Sequence, residues 1–189
     1  MSSEVRMACV LTCALFVAGI ATAQSRVKKP AAEPKTFYED CGDDRPCLFG
    51  NPAAIPNDVL DALWSSKEVQ SEQDESKNLN RETFAQYFKA IVIHLSDPME
   101  TDYVLLSESP LGGADAPWFW IVRFDHAHPK VIFFTFANGF EILKTRNNGY
   151  PDLRSYAFTA STSYTEIYHY NGQKYVLVHR YHKENTRRP

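Results

Sequence analysis

The chain has 189 residues, 44% of them hydrophobic and 13% aromatic, with a formal net charge of −3. That length supports one domain with an adequate core. A charge balance so close to neutral gives no reason to expect a nucleic-acid partner or an anionic membrane surface.

The chain opens with Arg6, an apolar run over 7–20, and then Ala21-Thr22-Ala23. A positive start, a short apolar stretch and small residues at the two positions a signal peptidase inspects predict a cleaved secretory signal over 1–23, cut between Ala23 and Gln24. An apolar run of about 14 residues falls short of the roughly 20 that span a bilayer, so a retained anchor is not expected. Lipid attachment is not expected either, because Cys9 and Cys13 lie inside the run and Thr12 stands where a small residue is needed. The predicted address is the periplasm or the exterior, with no later segment apolar enough to cross a membrane.

Cleavage removes Cys9 and Cys13 and leaves Cys41 and Cys47, which bracket Gly42-Asp43-Asp44-Arg45-Pro46. In an oxidising compartment this pair is expected to close a disulfide. The spacing is not Cys-x-x-Cys, so the expected role is a structural staple, contributing about 2 kcal/mol on chain-entropy grounds. Residues 24–40 read as a flexible leader, 41–182 as a single domain, and 183–189 as a solvated basic tail.

Asn57 is suited to cap a helix over 58–69, with Asp58 and Asp61 in its first turn and Val59, Leu60, Leu63 and Trp64 on one face. The stretch 71–80 is polar apart from Leu79 and reads as a loop. From Phe88 to Leu95 apolar residues occupy both parities, as in a strand buried on two faces, with a helix over 83–90 competing for the first half. Further strands are expected near 102–107, 118–124, 131–136, 140–145, 153–160, 165–170 and 174–181, because β-branched and aromatic runs alternate there with turn signals. The turns are Gly112-Gly113, 125–130, Asn138-Gly139, Asn147-Asn148-Gly149 and Asn171-Gly172, the Asn-Gly pairs being the strongest hairpin signals. The expected class is α+β, a mostly antiparallel sheet with one short N-terminal amphipathic helix.

Two stretches share an outline. Asp102-Tyr103-Val104, then 118–124 and 131–136, are echoed by Asp152-Leu153-Arg154, then 165–170 and 174–178. The segment Asn148-Gly149-Tyr150-Pro151-Asp152-Leu153 resembles the tail of the calcium-binding repeats of integrin-type propellers. Those repeats set oxygen ligands at alternate positions before a Gly and a final Asp. Matching Gly149 and Asp152 to them puts Lys144 and Arg146 at ligand positions, and the first stretch offers His94, Ser96 and Pro98 with Met99 at the Gly position. Cations do not coordinate a cation, and two units are too few for a propeller of about four or more blades. The resemblance implies strand layout only. More broadly, Ile93-His94-Leu95-Ser96, Gly112-Gly113-Ala114-Asp115, 118–123, 148–153 and 168–175 resemble a type of bacterial exported protein with no assigned activity. That resemblance covers roughly 55–180 and implies export and an α+β domain, without functional residues to carry over.

The most metal-like string is Asp125-His126-Ala127-His128-Pro129, where His126 and His128 project to one side if extended. A zinc site needs three or four ligands, for which His169, His179 or His182 would have to join them. No metal and no other cofactor is expected. No Gly-x-Ser-x-Gly, Ser-x-x-Lys or phosphate-loop pattern occurs. Carboxylates such as Asp115 and Glu166 have no separation readable from sequence. Trp118 and Trp120 share a strand face, as do Tyr168 and Tyr170, with Tyr150, Tyr156, Phe158, Tyr164 and Tyr175 nearby in the chain. Aromatics are first of all β-forming core material. As a surface, the quartet Trp118, Trp120, Tyr168 and Tyr170 would bind a protein, peptide or glycan partner. The function expected is therefore a non-enzymatic exported binding module of inhibitor, accessory or immunity type. The alternatives are a small histidine-dependent hydrolase or metal-binding enzyme and a purely structural envelope protein.

Overall fold

The structure, a computed structural model, describes residues 36–38, 47–76, 79–108, 111, 116–125 and 128–184. Chain order gives β1 (Thr36–Tyr38), α1 (Asn57–Trp64), α2 (Lys67–Ser76), then β2 (Phe88–Ile93), β3 (Asp102–Ser107), β4 (Trp118–Asp125) and β5 (His128–Phe136). β6 (Gly139–Asn147), β7 (Tyr150–Phe158), β8 (Thr162–Tyr170) and β9 (Tyr175–Glu184) follow. The strands form two antiparallel sheets, one ordered β2-β3-β4-β5 and the other β1-β6-β7-β8-β9. Of the expected α+β class, the mostly antiparallel β architecture is observed; in place of one sheet with one helix, the described residues form two sheets and two α-helices.

Each sheet is a four-stranded meander, the second extended by β1. Their inner faces meet in one core. Phe119 and Phe133 of the first sheet pack on Phe140 of the second at ring separations of 5.4 and 5.5 Å, and Phe133 also meets Tyr168 edge-on at 5.0 Å. A second core lies on the other face of the first sheet. There Val59, Leu60 and Leu63 of α1 and Val69 of α2 cover Leu105, Trp120 and Val122. The order of layers is helices, first sheet, second sheet.

Several expectations need correction. The single helix over 58–69 is two helices, since Ser65 and Ser66 interrupt it. The buried Ser66 hydroxyl accepts the Val69 N–H at 3.4 Å and so starts a new helix in place of continuing the old one. Asn57 is the first helical residue and Pro56 precedes it as the cap. The loop expected over 71–80 gives way to helix as far as Ser76. The competing helix over 83–90 survives only as a short 3-10 turn, Phe84–Tyr87.

Two further corrections concern the ends of the domain. Within the expected leader, Thr36–Tyr38 is a strand, and Phe37 is fully buried against Phe140, ring on ring at 4.6 Å. Within the expected tail, β9 continues to Glu184. The signal segment, Ala23, Gln24 and Cys41 lie outside the described residues.

Asn148-Gly149 makes the expected tight hairpin, with φ of 49° and 84° at its two residues. Asn138-Gly139 does not. It joins the two sheets, carrying the chain from β5 in one to β6 in the other. The glycine is needed there for space, because a Cβ would stand 2.6 Å from the Phe37 carbonyl oxygen of β1.

The echo between the two stretches is one of strand order only. Asp102 shares its face with Val104 and Leu106 in the inter-sheet core, whereas Asp152 lies on the face opposite Leu153.

Candidate functional site

Along β7, β8 and β9 the inner face changes character. Leu153, Tyr168 and Tyr170 are buried under the first sheet, but at the far end of the same strands Tyr164 is 39% exposed. There the first sheet stops at the end of β5 and the second continues. A cleft of about 520 Å³ opens between them. Tyr164 lines it from the inner face of β8, and the strand ends at Phe136, 43% exposed, and Phe158, 53% exposed, border it.

Its floor is polar and internally satisfied. Glu166 sits inward on β8, and the Tyr168 hydroxyl donates to its Oε2 while Arg180 Nε donates to its Oε1. Ser155 Oγ donates to Oε2 at 3.4 Å, and Thr135 Oγ1 lies 3.3 Å from the Tyr168 oxygen. Burial pushes the Tyr168 phenol up to about 12, and its bond to Glu166 adds to the shift. At neutral pH this phenol is protonated and donates its hydrogen bond to Glu166.

A second polar cluster occupies the opposite end of the sandwich. Arg123 Nη1 donates to the hydroxyls of Tyr150 and Tyr170, each at 2.8 Å, and its guanidinium lies over both rings. Ser96 Oγ donates to Glu100 at 2.6 Å, beside the Tyr150 hydroxyl. Asp102 is wholly buried here. One of its oxygens accepts the Leu95 N–H at 2.9 Å, and the other has no hydrogen-bond partner among the described residues. Loss of solvation raises its carboxyl to about 6, against which the Leu95 bond and the Arg123 and His94 charges work. This cluster ties the loop before β3 to the second sheet.

The aromatic quartet expected as a binding surface is not one. Trp118 and Trp120 lie on the helix side of the first sheet, 5.6 Å apart, with Trp120 fully buried beside Phe88 and Phe134. Tyr168 and Tyr170 lie on the inner face of the second sheet, buried between the layers. A whole sheet separates the two pairs, because the strand parity that puts each pair on one face also turns it toward a core. Of the four, only Tyr168 reaches the cleft, through its hydroxyl.

His126 and Asp115 lie outside the described residues. His128 is exposed on β5, and His169 is 3.7 Å from Asp152 on the second sheet. Among the described residues no three His, Cys, Asp or Glu side chains converge as a metal ion requires. Arg146 donates to the carbonyls of Gly149 and Leu95, so a guanidinium occupies the surroundings of the calcium-like turn. Cys47 precedes the 3-10 turn Leu48–Gly50. Among the described residues no helix is long and apolar enough to cross a membrane.

Arg180, Ser155, Thr135 and Phe136 belong to the cleft without having stood out in the sequence. Counting back from the Asn171-Gly172 turn pairs Glu166 with His179. A bulge between Ile167 and Tyr168 shifts the register by one residue and brings Arg180 opposite Glu166. Comparison with protein-family models, curated proteins and solved structures finds no match for this chain.

Proposed function

We propose that the protein is an exported, non-enzymatic binding module whose ligand enters the cleft at the open end of the sandwich. The observation that carries this reading is the cleft itself, where half-exposed Tyr164 stands beside a carboxylate already satisfied by its neighbours and the half-exposed Phe136 and Phe158 border the opening. Aromatic area left in water beside a fixed polar floor suits an amphipathic ligand, apolar body against the rings and a hydrogen-bonding end toward Tyr168 and Glu166. The size of the cleft falls within the range of small-ligand sites, about 300–1,000 Å³. The hydroxyls of Ser155, Thr135 and Tyr168 are engaged in the network, and among the described residues no histidine lines the cleft to activate one of them. Export and the Cys41–Cys47 disulfide belong to the same proposal, supported by the pattern of the first 23 residues and the polar turn between the cysteines.

The test uses 8-anilinonaphthalene-1-sulfonate, an amphipathic probe whose fluorescence rises in apolar surroundings. Saturable one-to-one binding is expected, lost when Ala157→Trp fills the cleft and retained when Phe124→Tyr alters the far end. Non-saturable binding, or binding indifferent to Ala157→Trp in a variant that melts like the parent, refutes the reading. Expression of the full chain in a bacterial host is expected to yield extracytoplasmic protein beginning at Gln24.

A further inference from the structure

We infer that Asn171 is a self-modification site, its side-chain amide being converted to a carboxylate through attack by the Gly172 main-chain nitrogen. The inference is independent of the cleft and rests on how the fold treats three identical dipeptides, Asn138-Gly139, Asn148-Gly149 and Asn171-Gly172. A glycine after asparagine leaves the attacking nitrogen unshielded by any Cβ, so the three sites are chemically alike in an unfolded chain. Only their folded surroundings tell them apart.

At Asn138-Gly139 the nucleophile is held. Gly139 is buried in the ladder between Tyr38 of β1 and Tyr156 of β7, and a Cβ there would stand 2.6 Å from the Phe37 carbonyl oxygen, so its peptide plane has no room to turn. At Asn148-Gly149 the leaving group is held, because Asn148 Nδ2 donates to the Tyr170 carbonyl at 2.7 Å. Asn171-Gly172 has neither restraint. The turn 171–174 is exposed and the space around Gly172 is open. Among the described residues neither the Gly172 N–H nor Asn171 Nδ2 donates a hydrogen bond. Asn171 Oδ1, by contrast, accepts the Gln173 and Lys174 N–H groups at 2.9 Å each. Those two donors point at the oxygen that gains negative charge as Cγ becomes tetrahedral, the arrangement of an oxyanion hole.

Hydroxide takes the Gly172 amide proton and the nitrogen bonds to Asn171 Cγ. The Cγ–Nδ2 bond breaks, and the amide nitrogen leaves as ammonia with a proton from water. Water then opens the resulting five-membered imide at either carbonyl, giving aspartate or isoaspartate, with no change of oxidation state. Aspartate keeps an acceptor for both N–H groups and so preserves the hairpin. Isoaspartate lengthens the main chain between β8 and β9 and strains the register at the Tyr170–Tyr175 pair.

The experiment keeps the full chain in mildly alkaline buffer, folded or unfolded in urea, and follows amide-to-acid conversion at each Asn-Gly site by peptide mapping and mass. In urea the three sites are expected to convert at similar rates. In the folded chain Asn171 is expected to match or exceed its unfolded rate, while Asn138 and Asn148 convert at least about tenfold more slowly than it does. Isoaspartate is expected at 171, with faster hydrogen exchange at the amides of 170–175. Asn171→Gln would have to close a six-membered ring, so that variant is expected to hold its starting mass when folded and to melt like the parent. Slower conversion of Asn171 in the folded than in the unfolded chain overturns the inference. So do equal rates at the three folded sites, first conversion at Asn138 or Asn148, or an undiminished mass gain in folded Asn171→Gln.

Discussion

Asp102 couples this fold to pH. Its carboxyl is wholly buried and raised to about 6 from 3.8, chiefly by lost solvation. A folded-state value above the unfolded one means that the native protein holds this proton more tightly. The stability it lends is complete below about pH 4 and is lost as pH rises through about 6. Above that range the ionised form costs about 3 kcal/mol. Asp102→Asn keeps an acceptor for the Leu95 N–H and removes the charge. Its melting temperature is expected to exceed the parent's at pH 8 and to match or fall below it at pH 4. A variant that melts lower than the parent by the same margin at both pH values contradicts this account. At the other end of the sandwich, Tyr168→Phe removes the phenol that donates to Glu166, leaving a mostly buried carboxylate short of one donor. The expected loss is about 1–3 kcal/mol, read by denaturant unfolding.

At the level of elements, β1 shows how three residues become structural. Phe37 stacks on Phe140, and the strand lies so close to Gly139 that any Cβ there would strike the Phe37 carbonyl. Phe37→Ala is expected to destabilise by about 3–5 kcal/mol, as for other buried Phe truncations. Gly139→Val is expected to free β1 while β6 and β7 remain paired, seen as fast exchange at the amides of 36–38 alone. If exchange accelerates throughout the second sheet, the strand is not an independent unit. Neither feature was legible. A three-residue strand gives too little alternation to stand out beside Lys35 and Glu39, and Asn138-Gly139 carries the dipeptide of a hairpin while serving as a passage between sheets. The eight longer strands were legible, because each is a β-branched and aromatic run of six or more residues set off by turn signals, and Asn148-Gly149 takes the left-handed backbone that the pair favours. The helix was legible as a hydrophobic stripe, but its break was not. Ser66 acts through one hydroxyl accepting from Val69, which periodicity does not register.

At the scale of the molecule, parity told which aromatics share a face and not what that face meets. Trp118 with Trp120, and Tyr168 with Tyr170, are paired as the alternation requires, yet the first sheet lies between the pairs. The cleft depends on where one sheet stops relative to the other, and on a one-residue bulge that sets Arg180 against Glu166. Both are long-range facts. The proposed Cys41–Cys47 link has its own readout. The oxidised protein is expected to be 2 Da lighter than the reduced one, two hydrogens being lost, and to gain about 2 kcal/mol, the chain-entropy value for so short a loop. Equal mass with and without reductant would remove the staple from the account.

The pairing of β1 with β6 also imposes an order in time. Phe37 meets Phe140, about a hundred residues further along the chain. A polypeptide made, or threaded across a membrane, from its N terminus presents β1 long before its partner exists. The first meander and its helical cover are complete in sequence by Phe136, and none of its strands pairs with β1. β1 must therefore wait until β6 has emerged. Its docking cannot precede β6, and a chain interrupted before Phe140 would carry Phe37 without the ring that covers it.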